Sequence, residues 1–170
     1  MSLGAALSIF AIGAAFEEMV FRRYPFQALV QGIGPWLATL VLSGLFAAAH
    51  ANNPNVGALA LVNIFLAGVL LSFAYLKTRS LWFVTALHLA WNWTQASLLD
   101  LPVSGLSFID TPAYEPVIGG PAWWDGGAFG PEAGLTGTIA IALMLAMVWR
   151  WRAVTETEET RATRPLVDER

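Results

Sequence analysis

Apolar residues along this chain fall in long, nearly unbroken runs. Five of them approach the roughly 20 residues needed to span a bilayer. They extend from Leu3 to about Phe21, from about Trp36 to His50, from Val56 to Leu76, from Leu81 to Leu99 and from about Leu135 to Trp151. Barrel strands would be shorter and would alternate apolar with polar positions. Each run therefore predicts a helix, and together they predict an all-α, polytopic membrane protein whose helical domain covers residues 1–152. The start of the first run has neither a cluster of positive charge nor a small-residue cleavage site, so no leader peptide is expected. Between the fourth and fifth runs, Asp100 to Gly134 is rich in Pro and Gly. It carries Trp123, Trp124 and the acids Asp100, Asp110, Glu115, Asp125 and Glu132, with no Lys or Arg. This pattern predicts an extramembrane, non-cytoplasmic loop with its Trp pair at the headgroup level. Residues 153–170 are charged and aperiodic, which predicts a disordered tail.

Composition narrows the class. Of 170 residues, 56% are hydrophobic and only 12% are charged, with mean hydropathy +0.59. That is about half the charge of a soluble domain, too little to cover a small water-soluble core. The absence of Cys excludes a disulfide framework, a zinc ribbon and a thiol nucleophile. Nine basic residues and a pI near 5.3 exclude general nucleic-acid binding. The basic residues also predict orientation. Arg22 and Arg23 follow the first run, Lys77 and Arg79 separate the third from the fourth, and Arg150, Arg152, Arg161, Arg164 and Arg170 end the chain. With the N-terminus outside and the C-terminus cytoplasmic, all of them fall on the cytoplasmic side, as the positive-inside rule requires.

Ionisable groups within apolar runs are costly unless they pair or face water. Those present here are Glu17, Glu18, Arg22, His50 and His88, with Asn92 a polar companion. Glu18 and Arg22 are i,i+4 and can pair along a helix. Glu17 projects about 100° away from Glu18 and is free to do something else. Phe46 lies one turn before His50, and His88 one turn before Asn92. Taken singly, each has a plainer reading: a juxtamembrane ion pair, an interfacial His, an interhelical hydrogen bond. Together they suit amide hydrolysis. A desolvated carboxylate serves as general base toward water. Imidazole orients the water or donates to the leaving amine, and His and Asn donate to the oxygen that gains charge.

Glu17-Glu18-x-x-x-Arg22, Phe46-x-x-x-His50 and His88-x-x-x-Asn92, in that order, resemble the three signatures of the CAAX protease and bacteriocin-processing family. Its members include the type II CAAX prenyl proteases, which are intramembrane endopeptidases. Lys77-Thr78-Arg79-Ser80-Leu81-Trp82 is similar to the family's connection before the third motif. The resemblance covers about Ala14 to Gln95. It implies a polar active-site cavity among the motif-bearing helices. It also implies Glu17 as water-activating base, with Glu18, Arg22 and Phe46 supporting. His50 and His88 would flank water and substrate, and Asn92 would stabilise the oxyanion. The implied partners are membrane lipid and a peptide or lipidated-protein substrate. The expected location is a prokaryotic plasma membrane, and no cofactor is implied. Family members commonly carry more helices ahead of the first motif, which here lies close to Met1, as in a minimal member or a shortened start.

Two other classes fit the same residues. Glu17, His50 and His88 could serve as zinc ligands, and the whole polar set could be a structural network in a membrane immunity, scaffold or transport protein. Depth sets a further condition. Glu17 lies roughly 7.5 Å before Arg22, and His88 roughly 9 Å past Trp82. His50, at the far end of its run, should lie nearer the opposite face. The site closes if that helix is short or tilted, or if the Asn52-Asn53-Pro54-Asn55 turn dips into the protein.

Overall fold

The first apolar run does not stop at Phe21. In the computed structural model, which describes residues 2–107, 116, 119–158 and 160, α1 (Leu3–Glu18) passes into a wide π-helical turn (Met19–Arg23) and continues as α2 (Tyr24–Ile33). Ser2 caps the start, accepting from the Ala5 N–H. Pro25 follows the wide turn, where the hydrogen-bond ladder is already interrupted, so its missing N–H costs little. This corrects the expected end of the first span and the place of Arg22. That residue is fully buried within a continuous helix and belongs to no basic flank.

A Gly34-Pro35 turn starts α3 (Pro35–Ala49). Then follow α4 (Ala58–Thr78) and α5 (Leu81–Trp93), which ends in a second π-helical turn (Thr94–Leu98), the short α6 (Ala122–Asp125) and α7 (Leu135–Arg150). Among the described residues there is no strand, only an isolated bridge between Val103 and Leu106. The α1–α2 helix and α4 are each long and apolar enough to cross a membrane, whereas α3 and α7 are shorter apolar helices. Ile12, Phe16, Trp36, Leu40, Trp82, Leu143 and Trp149 are all exposed. That apolar surface is far larger than water tolerates.

The main core joins α2, α3, α4, α5 and α7 through Phe26, Val30, Leu42, Leu70, Leu71, Tyr75, Val84 and Ile141. A smaller cluster packs Ala6 and Phe10 of α1 on Ala96 and Val103, beside Leu89 and Trp93. Helices α3 and α4 cross at Gly68, where an added Cβ would lie 3.0 Å from Ser43 Cα, Cβ and Oγ. Gly68→Val is expected to force the helices apart and lower stability by about 1–3 kcal/mol, read as a shift in detergent unfolding. At the opposite end of α4, Lys77 Nζ donates to the carbonyls of Val148, Trp149 and Trp151 and so caps α7.

The segment between α5 and α7, expected to be an extramembrane, non-cytoplasmic loop, has its described parts packed against the bundle. Val103, Phe129 and Glu132 are buried, while Trp123 and Trp124 are exposed. The fold-back needs Gly105, whose φ of +82° is glycine-favouring and where a Cβ would meet Pro54 O at 2.1 Å. Asp110 and Glu115 lie outside the described residues. In the terminal segment, Val154 is buried and Glu156 lies 3.8 Å from Arg79. Arg161, Arg164 and Arg170 lie outside the described residues.

Candidate active site

The wide turn after Glu18 sits beside the first motif, and the second wide turn follows Asn92. Such turns occur often at functional sites, because they shift a side chain off the helix's regular face. Glu17 and Glu18, about 100° apart, go separate ways. Glu18 points into the bundle and is fully buried with Arg22, whose Nη1 donates to Glu18 Oε1 at 3.1 Å. Arg22 Nη2 donates to Gly68 O at 3.3 Å, and the guanidinium lies 4.6 Å from the Phe46 ring centroid. The pair thus ties α1 to α4 and α3.

Glu18 Oε1 accepts from Arg22, and a carboxylate can only accept. His88 Nδ1 lies 2.8 Å from Glu18 Oε1 and must therefore carry its hydrogen. His88 Nε2 is turned to Glu17 Oε2, 3.9 Å away. His50 Nδ1 lies 2.8 Å from the Phe46 carbonyl, which also only accepts. In the neutral ring, His50 Nε2 is then the acceptor. Both imidazoles are held as the same tautomer by an oxygen behind them. The Phe46 ring stands between them, its centroid 4.8 Å from His50 and 6.1 Å from His88, with Phe21 edge-on at 5.2 Å.

Glu17, Phe46, His50, His88 and Asn92 line one cavity of about 490 Å³. Glu18 and Arg22 lie behind its wall, in contact with the lining residues His88 and Phe46. The cavity brings His50, at the end of α3, together with Glu17 of α1 and His88 of α5. With 15 residues, α3 is only about 22 Å long. The Asn53 side chain also lines the cavity, its Nδ2 donating to Ser104 O at 2.9 Å. Phe10, Ile64, Leu71, Ile141 and Met144 form much of the remaining wall. Among the described residues, no three His, Asp or Glu side chains are grouped closely enough to hold a metal ion.

The lining also includes Asn63, Trp91 and Glu132, polar or hydrogen-bonding residues that the sequence reading does not place at the site. Asn63 had a signal, as an amide in the middle of an apolar run. Glu132 had none, because an acid in a Pro- and Gly-rich segment reads as solvated.

The family described as type II CAAX prenyl endopeptidase, Rce1-like, matches residues 1–94. The chain belongs to that family. Members of the Rce1-like family are membrane-integral proteases, and the matched stretch contains Glu17, Glu18, Arg22, Phe46, His50, His88 and Asn92. No curated protein and no solved structure matches the chain. In this Rce1-like chain the matched residues end as the second wide turn begins, so Glu132 lies beyond the match.

Proposed function

We propose that the protein is an intramembrane endopeptidase in which Glu17 activates a water molecule against a peptide bond. One observation carries the reading: Glu17 Oε2 is buried without a hydrogen-bond partner, in a cavity wall, opposite His88 Nε2. Two acceptors 3.9 Å apart can share one water at about 2.8 Å from each. Both hydrogens of that water are then engaged, and its lone pairs face the cavity. Glu17 takes one proton as the oxygen attacks the scissile carbonyl carbon. The oxyanion that forms is met by the Asn92 Nδ2–H donors. On collapse the C–N bond breaks, and the Glu17 carboxyl returns its proton to the leaving amine. His50 Nε2, an acceptor, suits a backbone N–H of the bound peptide. Glu18 and Arg22 hold His88 in the tautomer this chemistry needs.

The apolar remainder of the cavity suits a peptide with apolar side chains or a lipidated one, and its volume falls in the ordinary range for ligand sites. Five membrane crossings with the N-terminus outside complete the reading, supported by the lipid-compatible surface and by Lys77 and Arg150 at one end of the bundle. The test is cleavage of lipidated and unlipidated fluorogenic peptides by the purified protein in liposomes, with Glu17→Gln as control. The two histidine tautomers would also suit Nε2 ligation of a metal. A chelator is therefore included, and it is expected to leave the rate unchanged. A rate abolished by chelation and restored by zinc would replace this mechanism with a metal-dependent one.

A further inference from the structure

A second buried carboxylate lines the same cavity, and the chemistry above does not use it. Glu132 Oε1 accepts from Trp91 Nε1 at 2.8 Å and from Gln95 Nε2 at 3.2 Å. Its Oε2 accepts from Ser104 N at 2.8 Å and Ser104 Oγ at 2.7 Å. Four donors saturate a carboxylate. No lone pair is left for a water or a substrate, so Glu132 is not a second base.

Its donors show what it does. Trp91 and Gln95 are one turn apart on the same stretch of helix and flank Asn92 in the chain, and both give their hydrogens to one oxygen. Gln95 lies inside the wide turn Thr94–Leu98, where the regular ladder is interrupted. The rotation of this end of α5 is thus not set by its own backbone bonds alone. Glu132 in turn is anchored from the other side. Asn63 Nδ2 donates to Glu132 O at 2.8 Å and to Gly134 O at 2.9 Å. Asn63 Oδ1 accepts from Thr138 Oγ1 at 2.7 Å. A chain of hydrogen bonds therefore runs from α4 and α7 through Glu132 to Trp91 and Gln95, on either side of Asn92 at the end of α5.

We propose that Glu132 is a positioning residue for the reaction: it sets the rotation of α5 around Asn92, and so the place where the carboxamide meets the developing oxyanion. The inference rests on the proteolytic reading above. Misplacement of a reacting group by about 1 Å can cost on the order of 100-fold in rate. Glu132→Gln keeps the volume but turns an NH₂ toward either the Trp91–Gln95 donors or the Ser104 donors.

The experiment measures kcat and KM for peptide cleavage by the full chain in liposomes, for Glu132→Gln, Asn92→Ala and the double variant. For Glu132→Gln, kcat is expected to fall about 10- to 100-fold with KM within about threefold. In the Asn92→Ala background the same change is expected to cost less than about twofold, because the group being positioned is gone. A residue with a merely structural role would cost the same in both backgrounds. Trp91→Phe, which removes one donor and keeps the carboxylate, is expected to show a smaller loss that also vanishes with Asn92→Ala. It carries the test if Glu132→Gln does not fold. Unchanged kcat in Glu132→Gln, or equal losses in both backgrounds, overturns the proposal. Glu17→Gln assayed in parallel keeps the two readings apart. If it still cleaves, the proteolytic mechanism itself fails; if it is inactive while Glu132→Gln is not, only the positioning role fails.

Discussion

Glu17→Gln is expected to lower peptide cleavage by about 100- to 10,000-fold, the contribution of a positioned general base, while the protein inserts and folds as before. Glutamine keeps the shape and one acceptor oxygen, so the water still binds, but no group at that position can take its proton. Structure is expected to survive because Glu17 Oε2 has no hydrogen-bond partner in the protein to lose. Its nearest charged-type neighbour is His88 Nε2, at a distance too long for a hydrogen bond. The measurement is initial rate in liposomes beside detergent unfolding of the same samples. A variant with wild-type rate would assign Glu17 to a structural network and remove the proteolytic mechanism. The neighbouring carboxylate should behave in the opposite way, losing fold before chemistry.

Arg22→Met is expected to destabilise the protein by about 3–5 kcal/mol, the cost of leaving a buried charge without its partner. Both side chains of the Glu18–Arg22 pair are fully buried, so solvent offers Glu18 no replacement. The loss has further parts: the hydrogen bond to Gly68 O and the stacking over Phe46 go with the guanidinium. Adding Glu18→Gln to Arg22→Met should recover much of the stability, because no ion then remains buried. Denaturant or thermal unfolding in detergent micelles reads both variants. An Arg22→Met protein within about 1 kcal/mol of the parent would mean that the pair does not hold α1 against α3 and α4.

What could be read in the sequence was what membranes make conspicuous. A carboxylate, a guanidinium or an imidazole inside an apolar run stands out, because lipid offers it no solvation. Six of the seven motif residues stand out on that ground, Phe46 entering only through its place one turn before His50, and the structure brings five of the seven to one cavity with Glu18 and Arg22 directly behind. The helices α3, α4, α5 and α7 likewise follow the apolar runs closely. Two things were hidden. The Arg22-Arg23 pair looks like the end of a helix, yet the chain takes it into a wide turn, accepts Pro25 just beyond it and goes on to Ile33. The role of Glu132 was hidden differently. Its burial depends on Asn63, Trp91, Gln95 and Ser104, which lie 28 to 69 residues away, so no local pattern distinguishes it from a solvated acid.

The two wide turns have a consequence for how this chain is set beside its relatives. Each is an ordinary helix carrying roughly one residue too many, taken up locally so that the faces before and after stay in phase. Relatives without that extra residue keep the same lipid-facing and core-facing sides on both halves of the helix, but their numbering slips by one across the turn. Set against a relative that lacks the extra residue, a superposition of sequences that forbids a single-residue gap between Met19 and Arg23, or between Thr94 and Leu98, would set exposed positions against packed ones.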